Sequence, residues 1–409
     1  MDESLSRSFV YNAFRNYYNS SSFSVPSIPG FTQREFGIFD YRSKKMVRHL
    51  RFNTKKDLRE FLGKSIPSDV YRSTAYYEYP EADMSQKEWI GADLVFDIDA
   101  DHIISPCNKI HDKWICTSCN FEGKGITPDT CPICGNKKIS IKSWPCETCL
   151  NYSKEETKKL LDFLLTDFGF ASTEIHVFFS GHRGYHVHVE TDTVKKLDTI
   201  ARKEIVDYVT GLGVPLSNKK RKSSFPDTYL SNFGWQKRLK TGLISFLANT
   251  TKEDLKKIGI KRTSAVLLKN RDLILNRFIR DGRLRSVKGV SNKTWEKLIL
   301  HVKNSSASQI DTVVTTDTHR LIRLNNTLHG KTGFRKIEFP IQSINTFDPF
   351  KEAIAFNDDI VKVLVSDAPL FRIGDKMYGP YKNQIVELSI NAAILLICKD
   401  RAKLVNENV

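Results

Sequence analysis

The sequence predicts an α/β fold, a mixed sheet flanked by helices, and three observations predict it. Residues 94–101, Leu-Val-Phe-Asp-Ile-Asp-Ala-Asp, are an apolar strand pattern with acids at alternate positions. Residues 153–189 read as a capped helix, a strand, a glycine-containing turn and a second strand. Residues 215–304 read as helices that concentrate the charge: 22 Lys plus Arg against 6 Asp plus Glu, a balance of +16 that equals the net charge of the whole chain. With 409 residues, 40% of them hydrophobic, the chain can build two core-bearing units or one elaborated unit. The expected division is the first part of a core at 1–214 with a cysteine-rich knob at 105–150 inside it, a basic helical subdomain at 215–304, and the rest of the core with terminal elements at 305–409.

In chain order, Leu5, Phe9, Ala13 and Tyr17 stand at helical spacing. Residues 34–39 and 46–52 read as strands around a polar turn; on the second, Arg48 shares a face with Leu50 and Phe52 and reads as ordinary surface. Tyr71, Tyr76, Tyr77 and Tyr79 belong to core and edge packing. The acidic strand follows. Alternate side chains of a strand project to one face, so Asp97 and Asp99 stand together with Cβ atoms roughly 6 to 7 Å apart, near enough to share metal ions. A strand end whose acids face water is the plainer reading; against it, unpaired charge in so apolar a run is costly, and a cation removes that cost.

Seven of the eight cysteines fall between Cys107 and Cys149, and three of the gaps there are CxxC, which favours metal over disulfides. Cys107 and His111, Cys116 and Cys119, Cys131 and Cys134, and Cys146 and Cys149 supply eight ligands, enough for two closed, structural Zn2+ sites. Ribbon knuckles pair across a single hairpin, so a nested arrangement is expected: Cys116, Cys119, Cys131 and Cys134 inside; Cys107, His111, Cys146 and Cys149 outside.

Ser153 and Glu156 form a capping box, Leu160, Leu161, Leu164 and Phe168 the buried stripe, and Gly169 the stop. The strand at 175–179 runs into Ser180-Gly181-His182-Arg183-Gly184-Tyr185-His186, where a hydroxyl, a guanidinium and an imidazole suit a triphosphate as well as they suit a decorated hairpin. His188 shares the parity of His186 but lies deeper, in a structural position. In the basic segment, Thr251 and Asp254 mark a helix start, Trp295, Leu298, Ile299 and Val302 a buried stripe, and Lys219 to Lys222 a nucleic-acid-facing loop or a nuclear-type address. Strand character returns at 310–315 and 320–324. A third acid for the metal cluster falls there, and spacing does not separate Asp311 from Asp317. The glycine-rich 328–333 adds phosphate-type donors, while 392–403 reads as an amphipathic terminus with Cys398 buried and no chemistry. The charge balance points to a polyanion partner; no apolar run approaches a membrane span, and the acidic start is unlike a secretory signal, so a soluble cytoplasmic protein is expected.

Val95-Phe96-Asp97-Ile98-Asp99, Ser180-x-x-Arg183-Gly184-x-His186, and Ile310-Asp311 with Leu321-Ile322-Arg323 and Leu328-His329-Gly330-Lys331-Thr332-Gly333 closely resemble, in order and spacing over residues 30–340, the small catalytic subunit of archaeal and eukaryotic DNA primase. The knob after the double-aspartate strand is similar to the archaeal version, which would place the chain in an archaeal cell near its nucleoid. The resemblance implies a primase catalytic core in which Asp97, Asp99 and Asp311 hold Mg2+ or Mn2+. It sets Ser180, Arg183 and His186 on the incoming nucleotide's phosphates with Arg323 and His329 beside them, and Arg48 and Glu35 on a bordering strand pair. It makes the outer cysteine–histidine set the family's zinc knob and the inner ribbon an insertion. His182 stands where a second basic residue is often found. The implied activity is synthesis of short RNA primers, and of DNA, from NTPs or dNTPs on single-stranded DNA for replication, as half of a heterodimer with an iron-sulfur large subunit; this chain has no spare cysteines for such a cluster. Two other readings stand beside it: a stand-alone repair or plasmid primase-polymerase that extends primers, and a non-catalytic zinc-ribbon module that binds nucleic acid.

Overall fold

A computed structural model describes residues 3–103, 106–107, 111–125, 127–214, 228–230, 232–281, 283–284 and 287–405. The chain forms two compact units, one of Met1–Thr157, Ala171–Arg202 and Ile310–Val409, the other of Lys158–Phe170 and Lys203–Gln309. The basic helices thus group with Lys158–Phe170 and with the residues from Lys203 onward. The reason is packing: Phe163 meets Trp235 with ring centroids 5.5 Å apart, and Arg238 Nη2 pairs with Asp167 at 3.0 Å.

Among the sheets of the first unit, the two largest are four-stranded, with antiparallel pairing throughout rather than one mixed sheet. One has the order Leu321–Arg323, Pro67–Ser73, Phe36–Asp40, Met46–Leu50; the other Ile337–Phe339, Ile175–Phe179, Gly184–Val189, Leu94–Asp99. Short returns such as the turn between Phe179 and Gly184 permit antiparallel pairing alone, since a parallel neighbour needs a long crossover. The acidic strand alternates as its sequence predicts: Leu94, Val95, Phe96 and Ile98 are buried, Asp97 and Asp99 half-buried. On Met46–Leu50 the parity breaks, because His49 has φ 61° and the register shifts between Phe36 and Ile38. This bulge re-aims the neighbouring Arg48.

Three other elements depart from the sequence expectation. The helix expected to open at Ser153 runs Glu147–Asp162 and continues as a π-helical turn, Phe163–Asp167. Ser153 is therefore interior, and its hydroxyl donates to the Arg183 carbonyl at 3.1 Å. The 310–315 strand is instead a helix, Thr312–Thr316, because the Asp311 side chain accepts from the Val313 amide; a good cap outweighs the strand preference of five β-branched residues. The C-terminal helix, Ile390–Cys398, is not amphipathic: Asn391 through Ile397 are all buried, and Cys398 is half-buried. It is followed by a strand, Ala402–Leu404, of a three-stranded sheet with Ile360–Ala368 and Tyr381–Ser389.

The second unit is helical. Gly234–Asn249 buries Trp235, Leu239, Leu243 and Leu247, Asn292–Ser306 buries Trp295, Leu298, Ile299 and Val302, and Thr251 with Asp254 forms the capping box read from the sequence. Lys219 to Lys222 lie outside the described residues. No helix among the described residues is long and apolar enough to cross a membrane.

Candidate active site and zinc knob

The acidic strand pairs with Gly184–Val189 so that Asp97 faces His186 and Asp99 faces Gly184. A Cβ on Gly184 would lie 2.1 Å from the Ile98 carbonyl oxygen, so only glycine lets the turn approach the acids this closely. Asp311 arrives from a distant segment, and its amide donates to the Asp97 carbonyl at 2.8 Å. Of the two acids the spacing left open, Asp311 is thus the one bonded to the acidic strand. Burial, then repulsion from Asp99 and Asp311, raises the Asp97 carboxyl to about 7. Such a shift marks a cluster of carboxylates short of positive charge. His186 Nε2 lies 3.6 Å from Asp97 Oδ1, its buried Nδ1 has no partner, and burial holds the ring well below its usual range, hence neutral.

The turn carries Ser180, which is buried and whose Oγ accepts from the His182 amide at 3.3 Å. The 328–333 loop is fastened to it. Thr332 Oγ1 donates to the Gly181 carbonyl at 2.6 Å, and His329 stacks on His182 with ring centroids 5.1 Å apart. Arg323 is held by Asp69 and by the Leu328 carbonyl. Arg48 grips Glu35 with two bonds, at 3.0 and 3.2 Å. Burial would raise the Glu35 carboxyl, but Arg48, the His49 amide and Lys87 together hold it below its ordinary value.

Arg183, expected on phosphates, is fully buried, with Nη1 2.9 and 2.8 Å from the two oxygens of Asp112 and Nη2 on Asp101. Burial lowers the guanidinium to about 10, so it stays charged at neutral pH and is committed to two carboxylates. Asp101, the third acid of the strand's parity, is thereby occupied too.

The knob groups its ligands in the nested way: Cys107, His111, Cys146 and Cys149 in one set, Cys116, Cys119, Cys131 and Cys134 in the other, with all ligand atoms of a set within 4.8 Å of one another. Sulfurs on a tetrahedral zinc stand roughly 3.8 Å apart. The Sγ separations of 3.6 Å for Cys107 with Cys146 and for Cys119 with Cys131, and 3.5 Å for Cys116 with Cys134, fit that ion. Asp112 completes the outer set from behind. Its Oδ1 lies 2.7 Å from His111 Nδ1, leaving Nε2 toward the sulfurs, as in a carboxylate–histidine–zinc arrangement. Arg183 therefore ties the glycine turn to the outer zinc set through Asp112 and His111.

Sequence reasoning missed Asp112, Lys336 and Lys399. Lys336 is buried with Nζ 2.9 Å from the Arg323 carbonyl and 4.5 Å from the Phe178 ring centre. Lys399 Nζ sits 2.7 Å from His182 Nε2. None of these three lies in a recognisable motif; Asp112 alone had a cue, as the residue following a ligand histidine.

The family model for the DNA primase small subunit matches residues 142–341. The DNA primase small subunit of Nitrosopumilus maritimus is 30% identical over 96% of this chain and 97% of its own length. That of Methanothrix thermoacetophila is 32% identical over 98% and 99%, and that of Cenarchaeum symbiosum 32% over 95% and 96%. A carboxylate cluster, a glycine turn and a cysteine knob held in one unit, with relatives matching along nearly the whole length, lead to one conclusion: the chain belongs to the DNA primase small-subunit family.

Proposed function

We propose that this chain, as the catalytic subunit of a primase in DNA replication, joins nucleotides by metal-assisted nucleotidyl transfer at Asp97, Asp99 and Asp311. The observation that carries the reading is the convergence of three carboxylates beside a neutral histidine, with Asp97 raised to about 7 by burial and by the other two. Hard carboxylate oxygens suit Mg2+ or Mn2+. Two such ions, when bound, would supply a more acidic attacking 3′-hydroxyl and charge compensation on the leaving pyrophosphate.

The protein's own groups do the rest. Ser180 and His329 donate to the triphosphate, His186 supplies an N–H beside Asp97, and Arg323, held in place by Asp69, adds positive potential where phosphate charge grows. Arg48 with Glu35 borders the nucleotide. Arg183 acts at one remove, fixing the turn against the knob. The two zinc sets are structural, since four protein ligands leave no open position. The second unit's basic helices contact the phosphates of single-stranded DNA template. The partner is the large subunit, carrying the iron-sulfur cluster, and the compartment is the archaeal cytoplasm at the nucleoid.

Product analysis of the purified chain tests this, with NTPs or dNTPs on single-stranded DNA, with and without a primer and the large subunit. Short products made from NTPs only with the large subunit present support the primase reading. Primer extension without initiation, with or without the partner, favours the stand-alone polymerase. No incorporation under any condition overturns both.

A further inference from the structure

We propose that Lys399 binds the outer phosphates of the incoming nucleotide, filling the role that the sequence offered to Arg183; the proposal rests on the nucleotidyl-transfer reading above. Lys399 follows the buried Ile390–Cys398 helix and is itself buried, 9% exposed. Its Nζ points at the glycine turn, 2.7 Å from His182 Nε2. Because an ammonium only donates, that nitrogen is the acceptor and His182 carries its proton on Nδ1. Burial and the nearby Lys399 keep His182 neutral.

What sets Lys399 apart is the partner of its Nζ, an imidazole nitrogen of the glycine turn rather than a carboxylate or a backbone carbonyl. Arg34, Arg72, Arg183 and Arg323 each pair with a carboxylate, and the buried Arg202 and Lys336 donate to backbone carbonyls. Among the described residues no carboxylate pairs with Lys399. Burial first, then Arg183 and Lys331, hold the ammonium down to about 7, against a smaller opposing effect of Cys398 and Asp112. A buried cation with one neutral partner is costly, and an anion removes that cost.

The place is right for a phosphate. His182 lies in the same turn as Ser180, stacks on His329, and has the Ser143 hydroxyl 3.4 Å from Nε2. The turn lies beyond the end of the acidic strand, since Gly184 is already opposite Asp99. A triphosphate with its inner phosphate at Asp97 and Asp99 would run toward the turn and present its outer phosphates to Lys399 and Lys331. Lys399 thus compensates for histidine at position 182.

The test uses the full chain with its large subunit, comparing wild type with Lys399→Met and Lys399→Gln. The readouts are KM for NTP, inhibition by inorganic pyrophosphate, inhibition by nucleoside monophosphate, and Tm. Methionine removes a charge-assisted hydrogen bond to phosphate, which should raise KM and weaken pyrophosphate inhibition roughly 10- to 100-fold, with monophosphate inhibition unchanged. Because removing an unpaired buried charge relieves the fold, Tm should stay level or rise. Wild-type KM and pyrophosphate inhibition in both variants would overturn the proposal; so would an equal loss for pyrophosphate and monophosphate, which is what a merely structural lysine gives. If wild type itself incorporates nothing, the nucleotidyl-transfer reading fails, and calorimetric titration of pyrophosphate into wild type and Lys399→Gln decides the Lys399 site on its own: equal affinity overturns it.

Discussion

Replacing Arg183 by leucine separates the two roles open to that residue. Its side chain is 1% exposed and that of Asp112 8%, and the arginine supplies both bonds of a bidentate pair. Deleting one partner of a buried pair leaves an uncompensated charge and costs about 3–5 kcal/mol. Asp112 keeps two other donors, His111 Nδ1 at 2.7 Å and the Trp144 amide at 3.1 Å, so the lower end, about 3 kcal/mol, is expected. For a unit of this size that lowers Tm by roughly 5 to 10 °C. Thermal unfolding gives that number, and the rate of zinc release to a chromogenic chelator reports the outer set, because Asp112 orients His111. The double variant Arg183→Leu with Asp112→Leu should recover much of the loss, with a coupling on the order of 1.5 to 3 kcal/mol. The reasoning fails if Arg183→Leu keeps wild-type Tm and zinc retention while the KM for NTP rises, since that is how a phosphate ligand behaves.

Asp97→Asn should lower incorporation by roughly a thousandfold or more, as loss of a metal ligand at the reacting centre does. It should also stabilise the metal-free protein above neutral pH. The sign follows from a folded pKa of about 7 against an ordinary value of 3.8: the folded state holds the proton more tightly, so stability falls as pH rises between them and stays low above 7. Melting curves in chelator should show the variant gaining at pH 5 and gaining more at pH 8, and added Mn2+ should raise the Tm of wild type alone. Metal analysis should find two zincs per chain, and Cys116→Ser should lose one of them while Asp97-dependent incorporation continues; loss of both would mean that the sets are not independent.

Much of the site was legible because its logic is local. A strand's two-residue period fixes Asp97 and Asp99 on one face wherever the strand goes, and alternating burial realises it. CxxC knuckles fix their own ligand geometry, so the nested sets could be read from spacing. The helix start at Thr251 needed only a capping box. Where local rules competed, the sequence misled: the β-branched run after Asp311 indicated a strand, and a single cap made all five of its residues helical. Ser153 and Glu156 have the pattern of a cap, yet Glu147–Asp162 simply runs through them.

The sequence by itself determined which chemistry is available: paired carboxylates, a glycine turn with polar side chains, eight cysteine and histidine side chains able to hold metal, and a basic segment. Tertiary structure alone decided which partner each charged group meets. Arg183 and Lys399 illustrate the difference. One sits in the motif and is committed to Asp112, 71 residues away; the other lies in a tail without any motif and reaches His182, 217 residues away. The physical reason is that a buried charge is governed by what surrounds it in space, and desolvation makes the presence or absence of a counter-charge decisive, whereas periodicity and ligand spacing are properties of the chain itself.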